Sequence, residues 1–341
     1  KENPLKFGLS RTQNLRGFLM ADANNQIMPV AQGTVNLSDI SPKDKVWDNH
    51  RSSTSDVQSI YQQNNEFKRY AHRMGNCSGF LGFAETVNLE TGEIGLKLRR
   101  ANFCRVRTCP VCQWRRTLLW KARFYQALPE LEKQNPTARF IFLTLTVRNC
   151  EIDALKETLK AMHTAFRKLI KRAEIKDAVL GWVRTTEVTQ GADGTAHPHY
   201  HCLVMVSPSY FGKKYIKQER FVEMWKESLK VSYDPNVDVR AVRSNTGSKD
   251  QMTKAVAETL KYTVKPSDLT MDKNWLYEYT RQVHKLRFID SGGLLKNVLK
   301  ESTPETDNDM IFVDGEEPSV SDETEQLRHF YWDGFSKRYK G

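Results

Sequence analysis

The amino-acid sequence predicts an α+β fold in which a central antiparallel sheet carries helices against one face. Between residues 139 and 264 the predicted elements alternate as β-α-β-β-α-β-α, the order of a split βαβ or ferredoxin-like sandwich. Apolar residues make up 39% of the 341 residues, which is enough for a packed core. The apolar runs are far shorter than the roughly 20 residues of a membrane span, and no basic-then-apolar leader is visible. We therefore expect a cytoplasmic protein that does not associate with membranes.

The elements of this sheet follow from local patterns. Runs rich in β-branched and aromatic residues predict the strands, and apolar residues at helical spacing predict the helices. A turn at residues 190–196 is expected to join the second and third strands in a hairpin. The predicted strands are 139–147, 179–189, 199–206 and 238–242. The predicted helices lie at 155–169, 218–229, 249–264 (which Ser248 could cap) and 273–287.

Outside this core the sequence divides into segments of different composition. A helix is expected at 56–75 and another at 114–131, on either side of a region that holds four of the six cysteines. The predicted segments are a loosely ordered arm (1–55), a helical, four-cysteine element (56–135), the α+β domain of the central sheet (136–300), an acidic flexible segment (301–325) and a C-terminal tail (326–341).

The charge is strongly positive and unevenly distributed. Lys and Arg number 52 against 41 Asp and Glu, a net charge of +11. Residues 301–325 contain ten acids and no Lys or Arg, so the remaining chain is more basic still. Such a charge favours a polyanionic partner, with nucleic acid as the first expectation and a merely well-solvated basic surface as the alternative. The acidic segment is either a solubilising linker or a competitor for the basic surface.

Three histidines in five residues indicate a catalytic metal site. Side chains alternate along a strand, so His199 and His201 project from the same face and can share one divalent cation. If the predicted hairpin closes, Glu187 on the preceding strand comes level with the pair as a third ligand. Two imidazoles and one carboxylate leave coordination positions open, as a catalytic ion requires. Two half-buried structural histidines are the alternative. Pro198 is expected to interrupt the strand, so His197 would orient a neighbour or contact substrate.

A tyrosine on the last predicted helix but one is the candidate nucleophile. Glu258, Tyr262 and Lys265 have the spacing of one helix face, opposite the apolar side of that helix. A phenol ionises near pH 10, and a bound metal with Lys261 and Lys265 would favour phenolate, whereas Glu258 would oppose it. Glu258 is therefore expected to act on a water or hydroxyl in another step. A glutamate and a tyrosine on an ordinary surface helix are the alternative.

The cysteine cluster predicts a structural zinc site. Cys104, Cys109 and Cys112 give C-x4-C-x2-C, and Cys77 lies 27 positions upstream of Cys104. Four thiolates would close the site, as structural zinc requires, with His72 as the alternative fourth ligand. Disulfides are the rival interpretation, but we expect a reducing compartment.

Arginines on both sides of the cluster are candidate contacts to DNA phosphates. A metal-stabilised loop would display them rigidly, and a solvated basic face is the alternative. These residues are Arg99, Arg100, Arg105, Arg107, Arg115 and Arg116.

Taken in order, three motifs resemble those of plasmid rolling-circle replication initiators, the Rep proteins of small Gram-positive plasmids in the HUH endonuclease superfamily. The motifs are FLTLTVRN (142–149), HPHYH (197–201) and ETLKYTVK (258–265), and ANFCRVRTCPVCQWRR (101–116) is similar to the family's upstream cysteine-rich signature. The resemblance covers about residues 77–290. The sequence has no second tyrosine at the spacing from Tyr262 that is found in two-tyrosine relatives, so strand transfer between paired tyrosines is not expected.

The resemblance implies specific roles. His199 and His201, with Glu187 as the strand carboxylate, would hold Mg²⁺ or Mn²⁺, and Tyr262 would be the nucleophile. Glu258 matches the family glutamate that activates water at termination. The implied activity is a nickase that forms a 5′-phosphotyrosine on single-stranded or hairpin DNA and frees a 3′-OH for a host DNA polymerase, with a host helicase as a further partner. Lys261 and His197 join the arginines as candidate DNA contacts.

Three other functions remain open on the sequence. A relaxase or single-strand transposase would use the same chemistry. A zinc-stabilised DNA-binding regulator would use the charge and the cysteines without catalysis. A metal hydrolase would release a free 5′-phosphate without a covalent step.

Overall fold

The computed structural model describes residues 35–87, 92, 94–242, 249–261, 263–296, 298, 306–313 and 327–341. No helix in these ranges is long and apolar enough to cross a membrane. The helices are α1 (Leu37–Ile40), α2 (Lys45–Gln62), α3 (Lys68–Gly75), α4 (Pro110–Gln134), α5 (Leu155–Ile170), α6 (Ala173–Lys176), α7 (Gln218–Leu229), α8 (Lys249–Thr259), α9 (Asp268–Met271), α10 (Lys273–Gln282) and α11 (Asp307–Ile311). The strands are β1 (Phe80–Val87), β2 (Ile94–Ala101), β3 (Arg139–Thr146), β4 (Val179–Gln190), β5 (Ala196–Val206), β6 (Val237–Val242), β7 (Ile289–Gly293), β8 (Leu327–Asp333) and β9 (Arg338–Lys340).

The central sheet is five-stranded and antiparallel, in the order β6-β3-β5-β4-β7. The α+β class and the antiparallel sheet are therefore confirmed. The four predicted strands are present with small shifts at their ends, and β7 is an additional edge strand that the sequence patterns did not reveal. Helices α5 and α7 form the two crossover elements of a β-α-β-β-α-β unit.

Helices cover both faces of this sheet, so the expectation of helices against one face is wrong. Side chains of α5 and α7 pack with one set of strand residues, and those of α4 and α8 pack with the other. The physical reason is that β5, a central strand, is buried along almost its whole length, and a strand with two apolar faces must be covered twice.

Pro198 lies within β5 instead of interrupting it. The proline pairs with Val188 of β4, while pairing of β5 with β3 begins only at His199. Proline has no N–H to donate to a neighbouring strand. At this position no β3 residue lies opposite, so no hydrogen bond of the sheet is lost. The strand therefore starts at Ala196, three residues earlier than predicted.

The segment predicted as a loose arm up to residue 55 contains two helices, and the helix predicted at 56–75 is in two parts. Trp47 and Val57 of α2 are buried, although the helix reads as polar because its apolar residues form a narrow stripe. The chain turns after Gln62, where the Asn64 side chain accepts a hydrogen bond from the Glu66 N–H at 2.9 Å. Residues 1–34 lie outside the described residues.

The predicted C-terminal tail is part of a second antiparallel sheet, in the order β2-β1-β8-β9. Phe330 of β8 and Tyr339 of β9 are fully buried, and the Tyr339 hydroxyl donates to the Ser78 carbonyl at 2.6 Å. This sheet joins the cysteine region to a segment more than 200 residues away, so no local pattern in the sequence could have predicted the pairing.

The acidic segment includes an ordered helix. Thr306 and Asp309 form a reciprocal capping box at the start of α11, and Met310 and Ile311 are buried. The expectation of a flexible segment is therefore wrong for residues 306–313, and the rest of 301–325 lies outside the described residues.

Candidate metal and DNA-processing site

The structure brings Glu187, His199 and His201 together on one face of the central sheet. Glu187 lies directly opposite His199 in the β4–β5 ladder, as the predicted hairpin requires. Its Oε2 atom is 2.8 Å from His199 Nε2 and 2.9 Å from His201 Nε2. All three side chains are buried, and their ligand atoms lie within 4.8 Å of one another.

This donor set fits a divalent cation. Two imidazoles and a carboxylate converge from two adjacent strands, so an ion held there would retain open positions. The Nδ1 atom of His199 lies 3.3 Å from the carbonyl oxygen of His197, to which it can donate. With an ion bound, donation from Nδ1 would leave the lone pair of Nε2 for the metal, in place of the hydrogen bond that Nε2 makes to Glu187. The three residues could therefore hold a metal ion.

A lysine contributes a positive charge to the same carboxylate. The Nζ atom of Lys261 is 2.8 Å from Glu187 Oε2 and 2.7 Å from Glu258 Oε1. Burial raises the pKa of Glu187, but hydrogen bonds from the two imidazoles and from Lys261 outweigh burial and bring this pKa well below its usual value. Burial lowers the pKa of Lys261, yet the two carboxylates raise it overall. Glu187 is thus an anion and Lys261 a cation at neutral pH.

Glu258 lies beside the histidines, but the predicted helix face does not extend as far as expected. Glu258 Oε1 is 3.8 Å from His201 Nδ1. Helix α8 ends at Thr259, whose carbonyl accepts a hydrogen bond from the Thr185 hydroxyl, so Glu258 and Lys265 do not share a continuous helix. Lys265 is exposed to solvent. Tyr262 lies outside the described residues, and so does the predicted cap Ser248.

His197 occupies the outer end of the same strand face. Its Nδ1 atom lies 2.6 Å from Asn149 Oδ1, and because an amide oxygen can only accept, the imidazole donates this hydrogen bond. Burial, followed by the neighbouring His199, lowers the pKa of His197. The Asn149 side chain also donates to the Thr195 hydroxyl at 3.0 Å. Neither spacing nor periodicity singled out Asn149, which belongs to the first motif of the resemblance.

The four cysteines form a second, closed group. Cys77–Cys112, Cys104–Cys112 and Cys77–Cys109 each have Sγ–Sγ distances of 3.6 Å. A tetrahedral zinc with Zn–S bonds of about 2.3 Å requires sulfur–sulfur distances of about 3.8 Å. A disulfide bond of about 2.05 Å is much shorter, so the cysteines are not paired that way. His72 is exposed and Cys77 completes the group, which could hold a metal ion.

Backbone amides support these thiols. The N–H of Cys104 points to Cys77 Sγ at 3.4 Å, and the N–H of Arg105 points to Cys112 Sγ at 3.3 Å. Burial raises the pKa of Cys109, but hydrogen bonds from the other thiols bring it well below its usual value. These hydrogen bonds favour thiolate at Cys109, whereas hydrogen bonds from the other thiols raise the pKa of Cys77 and burial raises that of Cys104.

The arginines predicted to contact DNA are largely engaged within the protein. Arg115 is only 6% exposed and donates to the carbonyls of Met310 at 2.7 Å and Ile311 at 3.1 Å, so it is not a DNA contact. The reason is that its face of α4 packs against α11. Arg105, which is exposed, pairs with Asp307 of α11 at 2.7 Å.

Two further arginines of this group bond to the backbone. Arg107 donates to the Leu286 carbonyl at 2.6 Å, and Arg116 donates to the Arg105 carbonyl at 3.3 Å. A DNA contact through either residue would therefore have to be made by the other guanidinium nitrogens.

The chain is similar to known replication proteins over most of its length. A family model described as "Replication protein" (Rep_1) matches residues 95–340. A relative named "Protein rep" from Streptococcus pneumoniae serotype 2 is 31% identical over 305 residues, which cover 87% of this chain and 92% of the relative. Another "Protein rep", from Bacillus amyloliquefaciens, is 33% identical over 294 residues, covering 80% of this chain and 85% of the relative. A "Replication protein" from Staphylococcus aureus is 34% identical over 219 residues, 61% of this chain and 93% of the relative. No solved structure matches.

Proposed function

Because the chain belongs to the Rep_1 family of replication proteins, we propose that it starts rolling-circle replication of a plasmid by nicking and rejoining single-stranded DNA at the origin. Membership confirms the Rep family that the sequence motifs indicated. The proposed reaction is a metal-dependent transesterification at Tyr262, of the HUH endonuclease type.

The observation that carries this proposal is the convergence of Glu187, His199 and His201. They form a one-sided, buried donor set, and Lys261, the residue before Tyr262, contacts the same carboxylate at 2.8 Å. The candidate nucleophile is therefore attached to a residue that lies in the site. A non-catalytic DNA-binding protein would have no need of this arrangement.

The topology of the central sheet supports the same assignment. Numbered within the β-α-β-β-α-β unit, the strand order β6-β3-β5-β4 is 4-1-3-2, and all neighbours are antiparallel. This is the order of the ferredoxin-like fold that the HUH resemblance implies. The histidines lie on a central strand of that sheet, where neighbouring strands hold them rigidly.

The residues present fit two kinds of metal. A Mg²⁺ or Mn²⁺ held by Glu187, His199 and His201 would supply a Lewis acid for the scissile phosphate. A Zn²⁺ held by the four cysteines would be structural, since four thiolates leave no position for substrate.

The chemistry of the protein groups follows from their charges. The phenol oxygen of Tyr262 attacks phosphorus, the bond from phosphorus to the 3′ oxygen breaks, and that oxygen takes a proton to become the 3′-OH. The phosphodiester energy is kept in the 5′-phosphotyrosine, so rejoining needs no ATP. The ammonium groups of Lys261 and Lys265 would favour the phenolate. Glu258 opposes it and instead accepts a proton from the water or hydroxyl that ends the cycle.

The DNA must be unpaired at the nick, because duplex stacking hides the reacting phosphate, so an extruded hairpin is the expected substrate. Arg105, Arg107, Arg116 and His197 remain the proposed DNA contacts. A host polymerase would extend the 3′-OH behind a host helicase.

A labelled origin oligonucleotide incubated with the protein and Mn²⁺ tests this function. Wild type should give a covalent band that survives denaturing electrophoresis, and Tyr262→Phe should give none. Tyr215→Phe removes the hydroxyl of an exposed tyrosine and should keep the band. A band that persists in Tyr262→Phe refutes the nucleophile, and release of a free 5′-phosphate without any band favours a metal hydrolase.

A further inference from the structure

The segment that carries Tyr262 contacts strand β4 through every second residue of the segment, on both sides of Tyr262. The Thr185 hydroxyl donates to the Thr259 carbonyl, Lys261 contacts Glu187 at 2.8 Å, and the Val188 N–H donates to the Thr263 carbonyl at 3.0 Å. The chain before and after Tyr262 is therefore held at the level of Glu187.

Thr263 also contacts the cysteine region. Its hydroxyl donates to Gln113 Oε1 at 3.0 Å, although the two residues are 150 positions apart. Thr263 is 7% exposed and Gln113 is 5% exposed, so water does not compete for this hydrogen bond. Within the described residues the Gln113 Nε2 atom has no hydrogen-bond partner. Among those residues, the Gln113 amide therefore forms its hydrogen bond with Thr263, through Oε1.

Gln113 is itself fixed by the cysteine group. It directly follows Cys112, and its backbone N–H donates to the Cys109 carbonyl at 2.9 Å in the first turn of α4. A metal bound by the cysteines would hold this turn in place, and through it the amide of Gln113. The Gln113–Thr263 hydrogen bond thus connects the closed metal group to the residue after Tyr262.

We propose that Gln113 is a positioning residue for DNA cleavage: its side chain fixes Thr263, and thereby the backbone on both sides of Tyr262, against the end of β4. The proposal rests on the proposed function, in which Tyr262 is the nucleophile. In-line attack is sensitive to small displacements, and a shift of about 1 Å can reduce a rate about 100-fold. The cysteine group would then serve catalysis by setting the place of a distant segment, as well as stabilising its own region.

The test uses two variants that remove the hydrogen bond from opposite ends, in the full-length protein. Gln113→Met keeps the length of the side chain without its acceptor, and Thr263→Val keeps the shape without its hydroxyl. Each should slow covalent-adduct formation about 10- to 100-fold at saturating oligonucleotide, with oligonucleotide affinity and zinc content unchanged. The double variant should form the adduct no more slowly than the slower of the two single variants, because both substitutions remove the same hydrogen bond.

Two controls separate positioning from general destabilisation. Thr263→Ser retains the donor and should restore the rate. Gln134→Met changes the same residue type at the exposed end of the same helix and should leave the rate unchanged.

Hydrogen–deuterium exchange provides a readout that needs no activity. Amides of residues 259–264 should exchange at least about tenfold faster in Gln113→Met and Thr263→Val than in wild type. Unchanged exchange, or additive losses of rate in the double variant, would overturn the proposal. If wild type forms no adduct, the proposed function fails, while exchange still decides whether Gln113 fixes the segment. If Gln113→Met loses zinc, Thr263→Val, which lies outside the cysteine region, decides alone.

Discussion

The two candidate metal centres are both buried, but they are constructed in opposite ways. The four cysteines come from turns and from the start of α4, and their thiols surround a point on all sides. Glu187, His199 and His201 come from two paired strands and approach from one side. A closed centre suits an ion that stabilises structure, and a one-sided centre suits an ion that must also bind substrate.

The backbone conformation also differs between the two centres. Ser78 and Arg105, each directly after a cysteine of the group, have φ values of +47° and +55°, a region that non-glycine residues rarely adopt. The histidine strand instead pairs with a neighbour on both sides. We therefore predict that an ion held by the cysteines would contribute to the folding of their region, whereas the β4–β5 pairing itself brings Glu187 level with His199.

Removing one thiol should give the largest effect. Cys109→Ser is expected to lower the free energy of unfolding by several kcal/mol, because structural zinc contributes about 10 kcal/mol or more in small zinc-bound peptides. Thermal unfolding and zinc content measure this loss. The control Cys150→Ser changes a half-buried cysteine outside the group and should stay within about 1 kcal/mol of wild type. Equal stability of Cys109→Ser and wild type would contradict a structural ion.

Neutralising the carboxylate of the open site should affect metal binding without unfolding the protein. Glu187→Gln is expected to weaken Mn²⁺ binding at least about 100-fold, because it removes the anionic ligand. Titration calorimetry with Mn²⁺ alone measures the change, and zinc content should remain as in wild type. Glu174→Gln, at an exposed carboxylate paired with Arg220, is the control. Mn²⁺ affinity that is equal in Glu187→Gln and wild type would remove Glu187 from the ligand set.

The lysine beside Glu187 offers a finer comparison, because its ammonium lies 2.8 Å from the carboxylate that would bind the ion. Lys261→Met is expected to strengthen Mn²⁺ binding about tenfold, since a positive charge only a few ångströms from the ion repels it. The same calorimetric titration tests this, with Lys160→Met on the exposed surface of α5 as the control. Weaker Mn²⁺ binding in Lys261→Met would show that the ammonium supports the ligands instead of opposing the ion.

The smallest effect is expected where α11 contacts the cysteine region. The Arg105–Asp307 pair is partly exposed, so breaking it should change stability by less than about 1 kcal/mol. Asp307→Asn should nevertheless increase affinity for a non-specific single strand a few-fold at low salt, and the gain should vanish at high salt. Asp234→Asn, in an exposed pair with Lys226, is the control. A gain that is independent of salt would mean that α11 does not compete electrostatically for DNA.

The sequence predicted that Glu187, His199 and His201 come together because the information that places them is local. Glu187, His199 and His201 lie within fifteen residues of one another, and strand alternation with one hairpin turn places all three. The same reasoning succeeded for the strands of the central sheet, whose side-chain pattern depends on neighbours along the chain.

The contacts that were missed join distant parts of the chain. The pairing of β1 with β8 and the Gln113–Thr263 hydrogen bond connect segments separated by more than 100 residues. Arg115 was misassigned for the same reason, because its burial depends on α11. Helix α8 ends early because Thr259 bonds to β4, a tertiary contact that its helical spacing did not reveal.

The central claim, that the open site catalyses transfer of DNA to Tyr262, is tested most directly by mapping the adduct. Wild-type protein is reacted with an origin oligonucleotide and Mn²⁺, digested with a nuclease and a protease, and examined by mass spectrometry. We predict a nucleotide attached through a 5′ phosphate to the peptide that contains Tyr262, and no such peptide from Glu187→Gln. A nucleotide on any other residue, or an undiminished yield from Glu187→Gln, would contradict the claim.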